Sequence, residues 1–208
     1  MRGDVIMEIR QLKTEDAWQF SKLIIDMYSN LNNLEWFTPM PYDKESVASI
    51  IENPRFYIVG LFENENLVAV SSLDYKCGKL IGKIDFPKAC NTDKLVEMAF
   101  NIVHSKHRGH GYMKLLLDHL MKFAKENGFE WVFGKVHKDN MASKMSFIRK
   151  DFEVLCDYNK HVDKEEFIGL ANQEFFCEIG KENAKQTLER CADQDEIDVD
   201  YNILIKKL

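Results

Sequence analysis

One stretch constrains the fold more than any other: a strand-like run passes through a glycine-containing loop into a strongly amphipathic helix. Residues 95–103 (LVEMAFNIV) predict a strand, and the helical pattern runs to about Asn127. Arg108, Gly109 and Gly111 lie between them. A strand that leads into a helix in this way directs several backbone N–H groups and the positive end of the helix at one point. The stretch therefore predicts an α/β chain with an anion site at this junction.

The composition of the loop suits a phosphate. Glycine at 109 and 111 leaves room where a phosphate approaches the main chain, and Arg108 adds a fixed positive charge beside it. The pattern is neither a Walker loop, GxxxxGK[ST], nor the dinucleotide pattern GxGxxG. An ordinary glycine-bearing turn before a helix explains this stretch as well as a phosphate site does, so the rest of the chain has to decide.

Strand and helix patterns alternate along that rest. They predict strands over residues 7–13, 56–62, 67–75, 131–136, 152–158 and 199–208, and helices over 14–28, 43–53, 140–150 and 182–191. This order favours an α/β (α+β) fold with a mixed central sheet flanked by helices. The length of 208 residues fits a single domain, residues 1–208.

Composition excludes several classes of function. With 28 basic and 34 acidic residues the net charge is −6, which disfavours a nucleic-acid-binding protein. No apolar run reaches the roughly 18 residues of a membrane span, and residues 1–7 lack the apolar stretch of a signal peptide, so we expect a cytoplasmic protein without a membrane partner. The five cysteines form no CxxC pair, so we expect reduced thiols and no metal site.

Two motifs together resemble the GNAT (GCN5-related N-acetyltransferase) superfamily. Arg108-x-x-Gly111-x-Met113 is similar to the R/Q-x-x-G-x-G/A signature that opens a helix after a central strand. The segment from Val136 to Ser143 (VHKDNMAS), followed by Phe147 and Phe152, resembles the V-H-P-D-N-x-x-S and aromatic pattern of some bacterial members. The resemblance covers about residues 7–158 and the final strand, about 197–208, and leaves 159–195 as an insertion.

The resemblance implies a splayed central sheet that holds acetyl-CoA in its gap and transfers the acetyl group directly to an amine of a small molecule, protein or peptide. It implies that the main-chain amides of residues 109–113 hold the pyrophosphate. It also implies that Asn140 and Ser143 contact the pantetheine or phosphate arm, and that an N–H near Val103 binds the thioester oxygen. The implied cofactor residues are Val103, Arg108, Gly109, His110, Gly111, Tyr112, Met113, Asn140 and Ser143. Two departures stand out: Met113 replaces a small residue, and Phe147 stands where many members carry a tyrosine that protonates the leaving thiolate.

Candidates for the remaining roles follow from spacing and chemistry. Glu97 lies six residues before Val103, which puts both side chains on one sheet face if no bulge intervenes. His137 has an intrinsic pKa suited to proton removal near neutrality. Glu97 and His137 are thus the candidate bases, although a structural carboxylate also explains Glu97.

The sequence leaves alternatives open for the acceptor-binding residues and for the overall activity. Glu35, Trp36 and Phe37 lie in the loop where GNAT members close over the acceptor, although an aromatic pair that caps the core explains Trp36 and Phe37 equally. The absence of a tyrosine acid leaves a noncatalytic acyl-CoA-binding module as the alternative to an enzyme. A homodimer is compatible with the sequence, which says nothing about oligomeric state.

Overall fold

A seven-stranded mixed sheet organises the chain. The structure, a computed structural model, describes residues 5–31, 33–37, 40–165, 182, 185, 186, 189 and 196–208. The strands are β1 Met7–Gln11, β2 Phe56–Glu63, β3 Asn66–Asp74, β4 Leu95–Val103, β5 Trp131–His137, β6 Glu153–Asp163 and β7 Glu196–Lys207. Their order is β1-β2-β3-β4-β5-β7-β6. Within the described chain, β4 and β5 form the parallel pair and the other neighbours run antiparallel.

Local signals set the ends of the helices. The helices are α1 Ala17–Ser29, α2 Lys44–Glu52, α3 Gly78–Ile81, α4 Tyr112–Glu126 and α5 Met141–Ile148. The Asp43 carboxylate accepts the Ser46 N–H at 2.8 Å and so caps α2 as its sequence predicts. Gly128, with φ +84, follows the end of α4, where only a glycine adopts this backbone conformation without strain.

Helices cover both faces of the sheet. Helices α1 and α2 pack on one face through a cluster that includes Phe20, Ile24, Val47, Ile58 and Ile102. Helices α4 and α5 pack on the other face through a cluster that includes Leu116, Leu120, Val96, Val132 and Phe147. The predicted architecture, a mixed sheet flanked by helices, is confirmed.

The last two strands are longer than the sequence pattern indicates. β6 and β7 pair from Glu153↔Ile205 to Asp163↔Glu196. Residues 159–163 therefore belong to the sheet, although the sequence places them in an insertion. β6 is an edge strand, and the polar residues 159–161 hide its strand pattern. The predicted helix over 182–191 lies mostly outside the described residues. In the described part of the chain, no helix is long and apolar enough to cross a membrane.

Candidate active site

The sheet splits between its two central strands. β4 pairs with β5 from Leu95↔Trp131 to Met98↔Gly134, and beyond this point the two strands diverge. Residues 135–137 of β5 continue the sheet by pairing with β7. The carboxyl ends of β4 and β5 are thus separated by a gap, and main-chain groups on the open edge of β4 face it.

Two backbone N–H groups of β4 point into the gap. The His104 N–H donates to the Val68 carbonyl at 2.9 Å, so even-numbered residues of this stretch point their N–H and C=O groups toward β3. The alternation of an antiparallel ladder then directs the N–H groups of Asn101 and Val103 into the gap. Such N–H groups can bind an oxygen on which negative charge develops.

The loop after β4 forms an anion cradle. Gly109 and Gly111 have φ +82 and φ +79, and a Cβ on either would meet no atom within 4 Å, so both glycines border open space. Gly111 is the N-cap of α4 and no side chain caps the helix, which leaves the first-turn N–H groups of Tyr112, Met113 and Lys114 without intrahelical partners. These N–H groups and the helix dipole converge on one point.

One cleft of about 680 Å³ joins this cradle to the gap. It is lined by the loop and the start of α4, by residues 99–103 of β4, by residues 135–137 of β5, and by α5. Arg108 lies at its border, where its guanidinium donates to the Val103 and Asn30 carbonyls at 3.4 Å. His110, a predicted cofactor residue, is not among the lining residues; its Nδ1 lies 3.2 and 3.1 Å from the carbonyls of His107 and Arg108.

The second predicted cofactor segment also reaches the cleft. The Asn140 Oδ1 accepts the Ser143 N–H at 3.1 Å, so this oxygen caps α5 and its amide nitrogen remains available. The Ser143 hydroxyl lines the cleft and donates to no described residue, whereas the Ser146 hydroxyl donates to the Ala142 carbonyl at 2.9 Å. Asn140 and Ser143 are therefore placed where a bound molecule can contact them.

Sequence comparison identifies the family. A family model of GNAT acetyltransferases matches residues 19–152, which is more than half of the chain and includes the loop, β5 and α5. The chain belongs to the GNAT acetyltransferase family. Acetyl-CoA is the acyl donor of this family. Comparison with curated protein sequences gave no match.

Solved structures share the GNAT fold over nearly the whole chain. An N-acetyltransferase from Staphylococcus aureus matches with a TM-score of 0.64 at 14% identity, over 97% of this chain and 98% of that chain. A ribosomal-protein-alanine N-acetyltransferase from Brucella melitensis gives 0.64 at 17% identity, over 97% and 99%. An acetyltransferase from Salmonella typhimurium, solved with its cofactor acetyl-CoA, gives 0.64 at 14% identity, over 98% and 94%. At these identities the likeness shows the fold.

The two GNAT departures, Met113 and Phe147, both line the cleft. Phe147 is 2% exposed and packs edge-on against Phe152, with ring centroids 5.0 Å apart. Its ring also fills the space beside Gly134, where a Cβ would lie 2.7 Å from the ring. Phe147 is therefore a packed wall of the cleft and offers no proton to a leaving group.

The position of Glu97 differs from the prediction. Ser71 pairs with Asn101 and Leu73 with Met98, so β4 carries one extra residue at a bulge. Met98 and Val103 consequently pack in the same cluster although they are five residues apart, and Glu97 lies on the opposite face from Val103. The shared face was expected only without a bulge; a bulge is present and inverts the alternation, so the two side chains do not share a face.

Glu97 is a buried carboxyl behind the wall of the cleft. It is 8% exposed and is not among the lining residues. Desolvation raises the pKa of Glu97 to about 7, and the nearby Lys135 ammonium opposes this increase. Lys135 does line the cleft, and burial lowers its pKa while Glu97 opposes that decrease. Burial thus keeps the Glu97 carboxyl protonated to a higher pH than an exposed carboxyl, and Glu97 interacts with a lysine that lines the cleft.

His137 lines the cleft but has no free lone pair. The Asp139 N–H donates to its Nδ1 at 3.2 Å, so the proton of the neutral ring lies on Nε2, which is 3.8 Å from a Glu35 carboxylate oxygen. Burial lowers the pKa of His137, and Glu35 opposes the decrease. This arrangement disfavours His137 as a base, because its acceptor nitrogen is already used.

Two of the three predicted acceptor residues line the cleft and the third does not. Trp36 and Phe37 line the cleft, whereas Glu35 is 8% exposed, is not a lining residue, and accepts from the Asn33 amide at 3.2 Å. Glu35 thus faces His137 instead of an ammonium group in the cleft.

Among the lining residues that sequence reasoning missed, Lys135 and Tyr201 lie on the acceptor side. The alternation of β5 contained a signal for the first, because Phe133, Lys135 and His137 share one face of a predicted strand. No local pattern could have indicated Tyr201, which is contributed by β7.

Proposed function

We propose that the chain is a cytoplasmic N-acetyltransferase that transfers the acetyl group of acetyl-CoA directly to an amine of a small molecule, protein or peptide. One observation carries the proposal: a single cleft joins an anion cradle to a gap into which the N–H groups of Asn101 and Val103 point. A pyrophosphate-bearing thioester needs both features at once, whereas a simple anion-binding domain needs only the first.

The residues of the cleft fit acetyl-CoA. Gly109, Gly111 and the first-turn N–H groups of α4 would hold the pyrophosphate, and the basic side chains of Arg108 and Lys114 would add charge. The Asn140 amide and the Ser143 hydroxyl would contact the phosphate or pantetheine arm. When bound, acetyl-CoA supplies an electrophilic thioester carbonyl; the amine nitrogen forms the C–N bond as the C–S bond breaks and the CoA thiol leaves.

The protein's own contribution is positioning and proton removal. The Val103 N–H would stabilise the thioester oxygen as its charge grows. Glu97, whose pKa lies near 7, is the better candidate for the proton acceptor, and it needs an intervening group because it does not line the cleft. No tyrosine acid is required, because a thiol with a pKa of about 8.5 can leave as thiolate.

A thermal melt with acetyl-CoA tests the proposed cofactor site. At about 100 times its Kd, a ligand of the native state adds about 2.7 kcal/mol to the free energy of unfolding, which raises Tm by several degrees for a domain of this size. We expect acetyl-CoA to produce this shift and ATP to produce none. Equal shifts with both ligands, or no shift over a wide concentration range, would contradict the proposal.

Separate Glu97→Gln and His137→Asn variants test the proton acceptor. In the wild type we expect kcat/KM to rise with pH through about 7, where the Glu97 carboxyl ionises. Glu97→Gln should remove this rise, and His137→Asn should keep it because the Asp139 N–H already occupies the His137 lone pair. Loss of the rise in His137→Asn alone would assign proton removal to the histidine.

A noncatalytic acyl-CoA-binding module is the second candidate function, favoured by Phe147 at the position of the acid. It predicts an acetyl-CoA-dependent increase in Tm without release of free CoA thiol in the presence of amines. Mass spectrometry of an amine mixture incubated with acetyl-CoA and the protein distinguishes the two candidates, since acetylated products appear only with an enzyme.

A further inference from the structure

The ionisable side chains that line the cleft carry positive charge or none. The basic ones are His107, Arg108, Lys114, Lys135, His137, Arg149 and Lys150; the others are tyrosines, and no Asp or Glu is among the lining residues that the structure describes. This is unexpected for a chain with a net charge of −6. Two of these residues already have protein partners, since His107 lies 3.0 Å from a Glu63 oxygen and Lys150 pairs with Asp118. The remaining charges favour an anionic ligand, and no lining carboxylate is placed to pair with an acceptor's ammonium group.

The proposed phosphate site and existing ion pairs together account for most of these charges. Arg108 and Lys114 belong to the cradle, and Arg149 and Lys150 follow α5 beside it. Lys135 lies elsewhere: β5 directs Val136 into the cluster under α4, so Lys135 faces the other side of the sheet, with His137 and Tyr201. The cradle does not explain a cation at this position.

The Lys135 ammonium has no anionic partner at contact distance. Its Nζ lies 5.0 Å from the centroid of the Tyr201 ring, and it forms no hydrogen bond or ion pair within 4.0 Å with a described residue. Glu97 influences its charge from farther away. A largely buried ammonium that opens into a cleft without a hydrogen-bond acceptor is suited to a ligand anion.

A second unpartnered donor lines the same cleft. The indole Nε1 of Trp36 is buried and has no hydrogen-bond partner among the described residues. A buried N–H without an acceptor is costly unless a ligand supplies one. Phe37 and Phe100 add apolar wall nearby.

We propose that the acceptor is an amino acid-like molecule that carries a carboxylate in addition to its amine, and that Lys135 binds this carboxylate with the Trp36 N–H as a second donor. One ammonium and one neutral N–H match a single carboxylate, with apolar surface for the side chain. The cationic surroundings also favour the neutral form of the acceptor amine, which is the nucleophile. This inference rests on the proposed N-acetyltransferase activity and narrows its substrate class.

Matched acceptor pairs test the inference. Leucine, methionine and phenylalanine are compared with leucinamide, methioninamide and phenylalaninamide, and kcat/KM is measured by release of free CoA thiol. Each pair differs in the carboxylate and keeps the side chain. Rates are compared near pH 8, where Lys135 keeps its charge, and each rate is divided by the fraction of the acceptor amine that is neutral at that pH. We expect the acids to exceed the amides by at least tenfold.

Variants assign the preference to the proposed donors. Lys135→Met should reduce the acid-to-amide ratio to about one, Lys135→Arg should retain most of it, and Trp36→Phe should reduce it about threefold. Acetyl-CoA affinity, measured by calorimetry, should stay within twofold of wild type in all three variants, which separates a substrate-binding role from a structural one.

The outcomes separate the inference from the function on which it rests. Failure of the wild type to bind acetyl-CoA would overturn the proposed function. Acetyl-CoA binding with equal rates for acids and amides, at any level, would overturn only the carboxylate inference. A wild-type ratio retained in Lys135→Met would remove Lys135 from the site, and Trp36→Phe tests the same preference if the lysine variant does not fold.

Discussion

The two halves of the cleft are built from different parts of the chain. The proposed cofactor half consists mainly of main-chain groups in a continuous segment, residues 99–114, whose conformation depends on Gly109 and Gly111, with side chains of α5 beside them. The proposed acceptor half consists of side chains from three separate segments: Trp36, Lys135 and Tyr201. A main-chain cradle binds any phosphate with the right shape, whereas assembled side chains select a particular acceptor. We therefore expect substitutions in the two halves to change different measured quantities.

The largest effect is expected for Gly111→Asp in the cofactor half. The new carboxylate would stand against the pyrophosphate at a backbone φ of +79, and like-charge contact costs several kcal/mol. Acetyl-CoA affinity should fall a thousandfold or more in calorimetry. Gly128→Asp is the matched control, since Gly128 has φ +84 and open space but lies outside the cleft. Similar acetyl-CoA affinities in the two variants would contradict the proposal that the cradle binds the pyrophosphate.

This half could be predicted because its information is local. Glycines at 109 and 111, a strand before them and an amphipathic helix after them are readable within about 30 residues. In the acceptor half, Trp36 was predicted from its loop, whereas Lys135 and Tyr201 were not. The bulge in β4 reverses the face of Glu97 relative to Val103, and no residue pattern in that strand indicates where the extra residue lies. Tyr201 reaches the cleft through pairing between β5 and β7, a contact that depends on the whole sheet.

Glu97→Gln should have the next largest effect, on stability as a function of pH. The pKa of Glu97 is raised to about 7 in the folded state, so the folded protein binds more protons than the unfolded chain between about 4.5 and 7. Wild-type stability should therefore fall as pH rises through this window. Glutamine stays neutral and removes this pH dependence. For this shift in pKa, the dependence amounts to up to about 3 kcal/mol in the free energy of unfolding.

Urea unfolding of wild type and Glu97→Gln at pH 4.5 and pH 8 measures this difference. The free energy of unfolding of the variant, relative to wild type, should increase between the two values. Glu130→Gln is the control. Glu130 is an exposed carboxyl just before β5, and its ion pair with Lys94 lowers its pKa. Parallel pH dependence in wild type and Glu97→Gln would show that Glu97 ionises normally.

Gly134→Ala probes the end of the pairing between β4 and β5, where the gap begins. We expect a smaller effect, on the stability of the fold. The added methyl group would lie 2.7 Å from the Phe147 ring, which is already packed against Phe152. Overpacking of this kind costs about 2 kcal/mol, or a Tm decrease of several degrees. Gly82→Ala, where a Cβ meets no atom within 4 Å, should change Tm little. The double variant Gly134→Ala, Phe147→Leu should recover stability, and no recovery would place the strain elsewhere.

Lys114→Met gives the smallest expected effect and tests the comparison most directly. If main-chain groups form the cradle, the exposed Lys114 side chain contributes only a screened charge, and its removal should weaken acetyl-CoA binding about two- to fivefold. Lys125→Met, on the same helix but outside the cleft, should leave the affinity unchanged. The loss should also diminish at high salt, since it is electrostatic. A loss in Lys114→Met as large as in Gly111→Asp would mean that side chains hold the cofactor as well, so the two halves would differ in location but not in how they bind.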